Sequence, residues 1–140
     1  MAQQRPDRTL GPGHDQFWSW CSRGEFRLQR CTSCRAVRWP AGTGCEQCGG
    51  AALRWDAMSG RGKIVSWCIF EKDYFDRLLP MPWSTILVEL DEGPVFVSNP
   101  FGFAPNVECI GSPVRVTFVE CADANGIFQL PAFELAADDG

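Results

Sequence analysis

Four cysteines are the residues of this chain best suited to chemistry. Cys31, Cys34, Cys45 and Cys48 lie in the run RCTSCRAVRWPAGTGCEQCGG, as two C-x-x-C pairs ten residues apart. Each pair predicts a tight knuckle that aims two thiolates at one point. Four thiolates around one point form the tetrahedral shell that Zn²⁺ prefers. That shell leaves no open coordination position, so the expected metal is structural and not catalytic. A redox C-x-x-C would stand alone beside a βαβ pattern. A disulfide framework would imply secretion, whereas the opening stretch MAQQRPDRTLGPGHD is polar and rich in Gly and Pro. No apolar run approaches the roughly twenty residues that span a bilayer. The expectation is a reduced, cytoplasmic protein.

Little else in the sequence offers reactive chemistry. Cys21, Cys68, Cys109 and Cys121 are scattered and read as buried small apolar residues, with a reactive thiol at Cys68 or Cys109 as the weaker alternative. The one histidine is His14. No nucleophile–base pair, G-x-S-x-G, P-loop or suggestive carboxylate pair is present, so a self-sufficient hydrolase or transferase is disfavoured.

Charge is split along the chain. Residues 1–63 hold ten Arg and Lys against five acids, a net of +5; from residue 64 onward there are three bases against twelve acids, a net of −9. The basic half could meet phosphates. Arg61 and Lys63, at the head of a long strand pattern, are candidates to face a coenzyme phosphate, with solvated surface charge as the plainer reading.

These residues need elements to position them. HDQFWSWCSR suits a short helix with Phe17 and Trp20 or Cys21 on one face, Asp15 as a cap and Gly24 at its end. Trp18 falls off that face, which suggests docking on the rest of the chain or another subunit. EFRLQRC, AVRWP and AALRWDAMS read as three short ribbon strands. GRGKIVSWCIFEKDY, STILVELD, PVFVSNPF, PVRVTFVECAD and GIFQLPAFEL then predict five strands, with turns at Glu92-Gly93 and Asn125-Gly126. A small closed barrel follows, and the OB-fold is the economical choice over an SH3-like barrel or a sandwich fragment. The predicted fold is mainly β: an N-terminal helix, a rubredoxin-like zinc ribbon and a five-stranded OB-fold barrel. The boundaries are 1–13 for a flexible arm, 14–24 for the helix, 25–57 for the ribbon, 58–136 for the barrel and 137–140 for a tail. Phe75, Leu78, Leu79, Met81 and Trp83 form an apolar loop, and Asn99, Phe101 and Phe103 end a strand. Both read as contact surface or barrel-end core.

The helix bearing Phe17-Trp18, the GEFRLQRC-x-x-C strand, the second C-x-x-C with its glycine, Ser59-Gly60-Arg61-Gly62, Val88-Glu89-Leu90-Asp91-Glu92-Gly93 and Pro131-Ala132-Phe133 carry a resemblance. Over about residues 14–135 the chain resembles the zinc-ribbon plus OB-fold family associated with acyl-CoA enzymes, once labelled nucleic-acid-binding. It departs at Arg35, where family members often have glycine, and in the LLPMPWST stretch. The resemblance implies a non-catalytic accessory subunit of a thiolase-fold enzyme (a thiolase, acyltransferase or retro-aldolase), in an α2β2 hetero-oligomer. The ribbon and helix would clasp the partner, and the barrel would lie beside its active-site mouth and guide the CoA thioester. From the residues themselves, Phe17, Trp18, Trp20, Arg61, Lys63, Leu79, Met81, Trp83, Asn99 and Phe101 are candidates for ligand or partner contact. The competing reading is a single-stranded nucleic-acid-binding module, which zinc ribbons and OB-folds both support. The acidic barrel half argues against it, since it would repel phosphates.

Overall fold

The computed structural model describes residues 2–50 and 52–136; the expected tail at 137–140 lies outside the described residues. The helix α1 spans His14–Ser22. It ends as its sequence predicts: Gly24, at φ 74°, donates to the Cys21 carbonyl (2.9 Å), and Glu25 N–H donates to Trp20 (3.0 Å). This double bond is the Schellman closure, for which glycine carries no steric cost. The start differs from expectation. Gly13 is the N-cap, and Gln16 Oε1 accepts its N–H (2.7 Å). Asp15 sits inside the first turn and accepts from Gly11 N–H (3.0 Å).

The ribbon is a three-stranded antiparallel sheet of β2 (Arg27–Cys31), β3 (Val37–Arg38) and β4 (Leu53–Ala57), in the order β3-β2-β4. Five strands build the barrel: β5 (Arg61–Phe70), β6 (Trp83–Leu90), β7 (Val95–Ser98), β8 (Pro113–Asp123) and β9 (Gly126–Leu135). Strand β5 pairs with both β6 and β8, β6 pairs with β7, and β8 pairs with β9. The β6–β7 turn is longer than the Glu92-Gly93 pair suggests, running from Asp91 to Pro94. The barrel is not closed by a continuous ladder, as a small closed barrel would require. A single parallel bridge, Pro100 to Phe133, links the end of β7 to β9. There Phe101 N–H donates to Phe133 (2.8 Å) and Phe133 N–H to Asn99 (3.1 Å). Strand β7 is four residues long and cannot reach along the ten of β9. Partly open closure is a known form of the OB-fold.

One hydrophobic core serves helix, ribbon and barrel. Phe17 from α1 and Phe26 and Leu28 from the ribbon pack with Met58, Ile64, Ile86, Val88, Leu90, Phe96 and Phe133 from the barrel. Rings meet edge-on at its centre, with Phe26–Phe96 centroids 5.3 Å apart. Gly60 and Gly62 allow the first barrel strand to enter this core. Gly60 has φ 75°, and a Cβ on Gly62 would lie 2.5 Å from the Glu89 carbonyl oxygen.

Within the arm expected to be flexible, the described residues 2–13 are tied to the barrel. A two-residue strand, β1 (Gln3–Gln4), pairs in parallel with β8 at Cys121 and Ala122. Arg5 N–H continues the pairing to Ala122 (2.9 Å), and Asp7 accepts from Ala124 N–H (3.0 Å). Arg8 forks onto Asp123 at 2.7 and 3.2 Å. The polar composition that suggested freedom instead supplies partners for the exposed edge of β8.

Candidate metal centre and aromatic cavity

The two knuckles bring the four cysteine sulfurs together. All lie within 4.8 Å of one another, with Cys31–Cys48 at 3.6 Å and Cys34–Cys45 at 3.5 Å. Sulfurs bound tetrahedrally to Zn²⁺ stand about 3.8 Å apart, given a Zn–S length of about 2.3 Å. The donor set and its spacing therefore fit zinc. Both knuckles close by the same bond: Arg35 N–H donates to Cys31 (2.8 Å) and Gly49 N–H to Cys45 (2.9 Å). Both residues are left-handed, at φ 67° and 75°.

Backbone donors prepare the sulfurs to carry charge. The N–H groups of Cys34 and Ser33 pull the Cys31 thiol down to about 6, and those of Cys48 and Gln47 lower Cys45. At Cys34 the Ala36 N–H lowers the thiol, but proton-sharing contacts with the other three sulfurs, together with burial, outweigh it and push the thiol up to about 12. Four crowded sulfurs cannot all ionise without a central cation, which is the condition a bound metal meets.

The ribbon around them is ordered by polar side chains. Buried Gln29 accepts from Gly42 N–H (2.8 Å). Arg38 donates to the Gly44 carbonyl and reaches Glu46 at 3.4 Å. Arg30 and Arg54 both bind Asp56 at 2.9 Å, and Arg27 binds Glu25 at 2.8 Å. Several cations of the basic half are thus neutralised within the ribbon.

The second feature is a cavity of about 370 Å³ between the N-terminal strap, α1 and the barrel. Of the expected contact residues, Phe17, Trp18, Leu79, Trp83 and Asn99 line it. Trp20, Arg61, Lys63, Met81 and Phe101 do not. Trp20 lies under Arg27, 4.4 Å from its ring centroid, and Arg61 and Lys63 are exposed on β5. The apolar loop after β5 divides: Leu79 is buried, while Tyr74, Phe75 and Leu78 are exposed. Sequence reasoning missed Arg5, Arg8, Trp39, Phe70, Phe96 and Phe128, which also line the cavity. The strap arginines had a signal in retrospect, since two guanidiniums three residues apart seek acceptors or rings.

The motifs that carried the resemblance serve packing. Glu92 accepts from Ser59 N–H (2.8 Å), Gly60 makes room for Val116, and Pro131 accepts the buried Ser98 hydroxyl (2.8 Å). Among the other thiols, Cys21, Cys109 and Cys121 are buried as expected, and burial pushes Cys21 up to about 12. Cys68 is exposed on β5 instead, because its side faces away from the core.

A four-cysteine ribbon joined to an OB-fold barrel through one core defines the class of protein. Models of the ChsH2 rubredoxin-like zinc ribbon domain and the ChsH2 C-terminal OB-fold domain match residues 18–54 and 55–119 in turn. The chain belongs to this ChsH2 zinc-ribbon and OB-fold family. It is 34% identical over 134 residues to a probable enoyl-CoA hydratase alpha subunit of Thermomonospora curvata. It is 27% identical over 122 residues to the 3-oxo-4,17-pregnadiene-20-carboxyl-CoA hydratase alpha subunit of Mycobacterium tuberculosis. Those matches take in 94% and 84% of this chain but only 40% and 39% of the relatives' lengths. Among solved structures, a chain of the Ltp2-ChsH2(DUF35) aldolase superposes with a TM-score of 0.81 and 27% identity, over 94% of this chain and all of that one. A DUF35-family protein of unknown function from Sulfolobus solfataricus shares the fold, with a TM-score of 0.60 and 15% identity over 91% of this chain and 87% of that one. No helix among the described residues is long and apolar enough to cross a membrane.

Proposed function

We propose that this chain is a non-catalytic accessory subunit of an acyl-CoA enzyme. It docks on a thiolase-fold catalytic subunit, in an α2β2 assembly, and helps bind or channel the acyl-CoA substrate. The observation that carries this reading is the likeness, over 94% of this chain, to a chain of the Ltp2-ChsH2(DUF35) aldolase at a TM-score of 0.81. The alpha-subunit relatives that act on CoA esters agree with it. Tyr74, Phe75, Leu78, Val97 and Phe101 are exposed large apolar residues, of the kind a partner covers. In this reading Cys31, Cys34, Cys45 and Cys48 hold a structural Zn²⁺ in a reducing cytoplasm, which keeps the thiolates free for metal. The metal's contribution is to fix the two knuckles. The ribbon (25–57) and helix position the barrel (58–136) beside the partner's active site.

A tagged pull-down from native extract, with co-purifying chains identified by mass spectrometry, tests the proposal. A near-stoichiometric thiolase-fold protein is expected, with acyl-CoA turnover that needs both chains. Recovery of the chain alone, or with RNA or DNA lost steeply as salt rises, would overturn it.

A further inference from the structure

The cavity under the strap holds two guanidiniums in different states. Arg8 is committed: its side chain and its backbone N–H both bind the Asp123 carboxylate, and it lies 4.3 Å from the Phe128 ring centroid. Arg5 is not paired with a carboxylate among the described residues. Its Nη1 donates to Asn99 Oδ1 (3.0 Å), and its Cζ lies 5.1 Å from the Trp83 ring centroid. Asn99 is itself engaged, donating to the Ser84 carbonyl (2.9 Å). Burial lowers the Arg5 pKa from its ordinary value, so this cation has lost much of its water. The nearby Cys121 thiol is raised by burial and supplies no fixed counter-charge.

Arginine carries five N–H donors in a planar fork. One is used here within the protein, and the Trp83 ring lies against the guanidinium. The cavity's volume of about 370 Å³ falls within the range of sites for small organic ligands.

We propose that this cavity binds a lipophilic monocarboxylate, its carboxylate forked onto Arg5 and its hydrocarbon body held against Trp83, Trp18 and Phe128. The single uncommitted cation sets the charge. A polyphosphate such as the nucleotide end of a coenzyme would need several cations, and of the two arginines that line the cavity Arg8 is already neutralised by Asp123. A neutral lipid would cover a half-buried guanidinium and leave it with the Asn99 amide oxygen but no anion, which is costly. The inference goes beyond the accessory role and needs no partner subunit, so its failure leaves that role standing.

The test is tryptophan fluorescence of the zinc-loaded full chain, titrated with 9-anthracenecarboxylate and with its neutral counterpart 9-anthracenemethanol. Saturable quenching is expected, with the carboxylate preferred by roughly 10- to 100-fold, the size of a charged hydrogen bond. Arg5→Gln should abolish the preference while leaving the alcohol's affinity unchanged, which also reports that the site is still folded. Trp83→Ala should weaken both ligands. Equal binding of acid and alcohol, an Arg5→Gln variant that keeps the preference, displacement of the acid by free coenzyme A, or no saturable binding would each overturn the assignment.

Discussion

Residues 31–50 of the ribbon and residues 61–135 of the barrel are ordered by different forces. In the ribbon, two knuckles meet at four sulfurs, and Gln29 and Arg38 bridge to loop backbone. Between them there is almost no aliphatic filling. In the barrel, ladders of eight to ten paired residues enclose Ile64, Ile86, Val88, Leu90 and Phe133, each at 2% exposure or less. The barrel's order comes from buried apolar surface, whereas the cysteine end of the ribbon depends on the charge placed among its sulfurs. The inner end of the ribbon belongs with the barrel, because Phe26 and Leu28 join the common core.

Metal removal should sharpen this contrast most. Structural zinc in small ribbons contributes about 10 kcal/mol or more of folding free energy. Chelation, or Cys34→Ser, should erase hydrogen-exchange protection across residues 31–50 while β5, β6, β8 and β9 keep theirs. Partner capture should weaken in parallel if the ribbon helps to dock. Ribbon amides that stay protected without metal would break the comparison.

Phe133→Ala attacks the other side. Phe133 is fully buried, with its ring centroid 6.1 Å from Phe96 and 6.2 Å from Phe26. Its truncation should cost about 3–5 kcal/mol. Because the core is shared, the loss should appear in one cooperative transition of the zinc-loaded chain, followed by calorimetry. Two separate transitions would mean that ribbon and barrel have independent cores.

The strap offers a smaller, pH-dependent effect. Arg8 hydrogen bonds hold the Asp123 carboxyl at about 2, below its ordinary value near 4. A depressed carboxyl stabilises the fold above its unfolded pKa, and that contribution is lost as pH falls from about 4 through about 2. Asp123→Asn should remove about 1 kcal/mol at neutral pH after solvent screening. It should also flatten the stability profile across that acid window and speed proteolysis within residues 3–10. An unchanged acid profile would show that the strap is held by its backbone pairing alone.

Legibility in the sequence followed the range of each interaction. The cysteine quartet was readable because four ligands of one type at fixed spacing encode their own geometry. The Gly24 helix stop was readable because left-handed backbone is local chemistry. The five barrel strands were readable from alternation and turn residues, but their closure was not, since it depends on how far β7 extends beside β9. The cavity was half readable. Trp18, Leu79 and Trp83 stood out as surplus apolar residues, whereas Arg5 and Arg8 owe their places to Asn99 and Asp123, more than ninety residues away. No periodicity within the strap reports contacts of that separation.

The least disruptive change compares the two knuckles with each other. They share one backbone bond and one left-handed residue, yet Gly49 fills that place in the second and Arg35 in the first. A side chain in left-handed backbone costs about 1–2 kcal/mol, and glycine's larger unfolded-state entropy returns part of that. Arg35 is exposed, and its carbonyl, which Arg30 uses at 2.8 Å, survives any substitution. Arg35→Gly should therefore stabilise the zinc-loaded chain by about 0.5–1 kcal/mol, read as a higher denaturant midpoint with an unchanged slope. Gly49→Ala should destabilise it by about 1 kcal/mol through the same strain. If Arg35→Gly instead loosens the ribbon, the arginine side chain holds the first knuckle through a contact outweighing its backbone strain, and the two knuckles are equivalent in shape only.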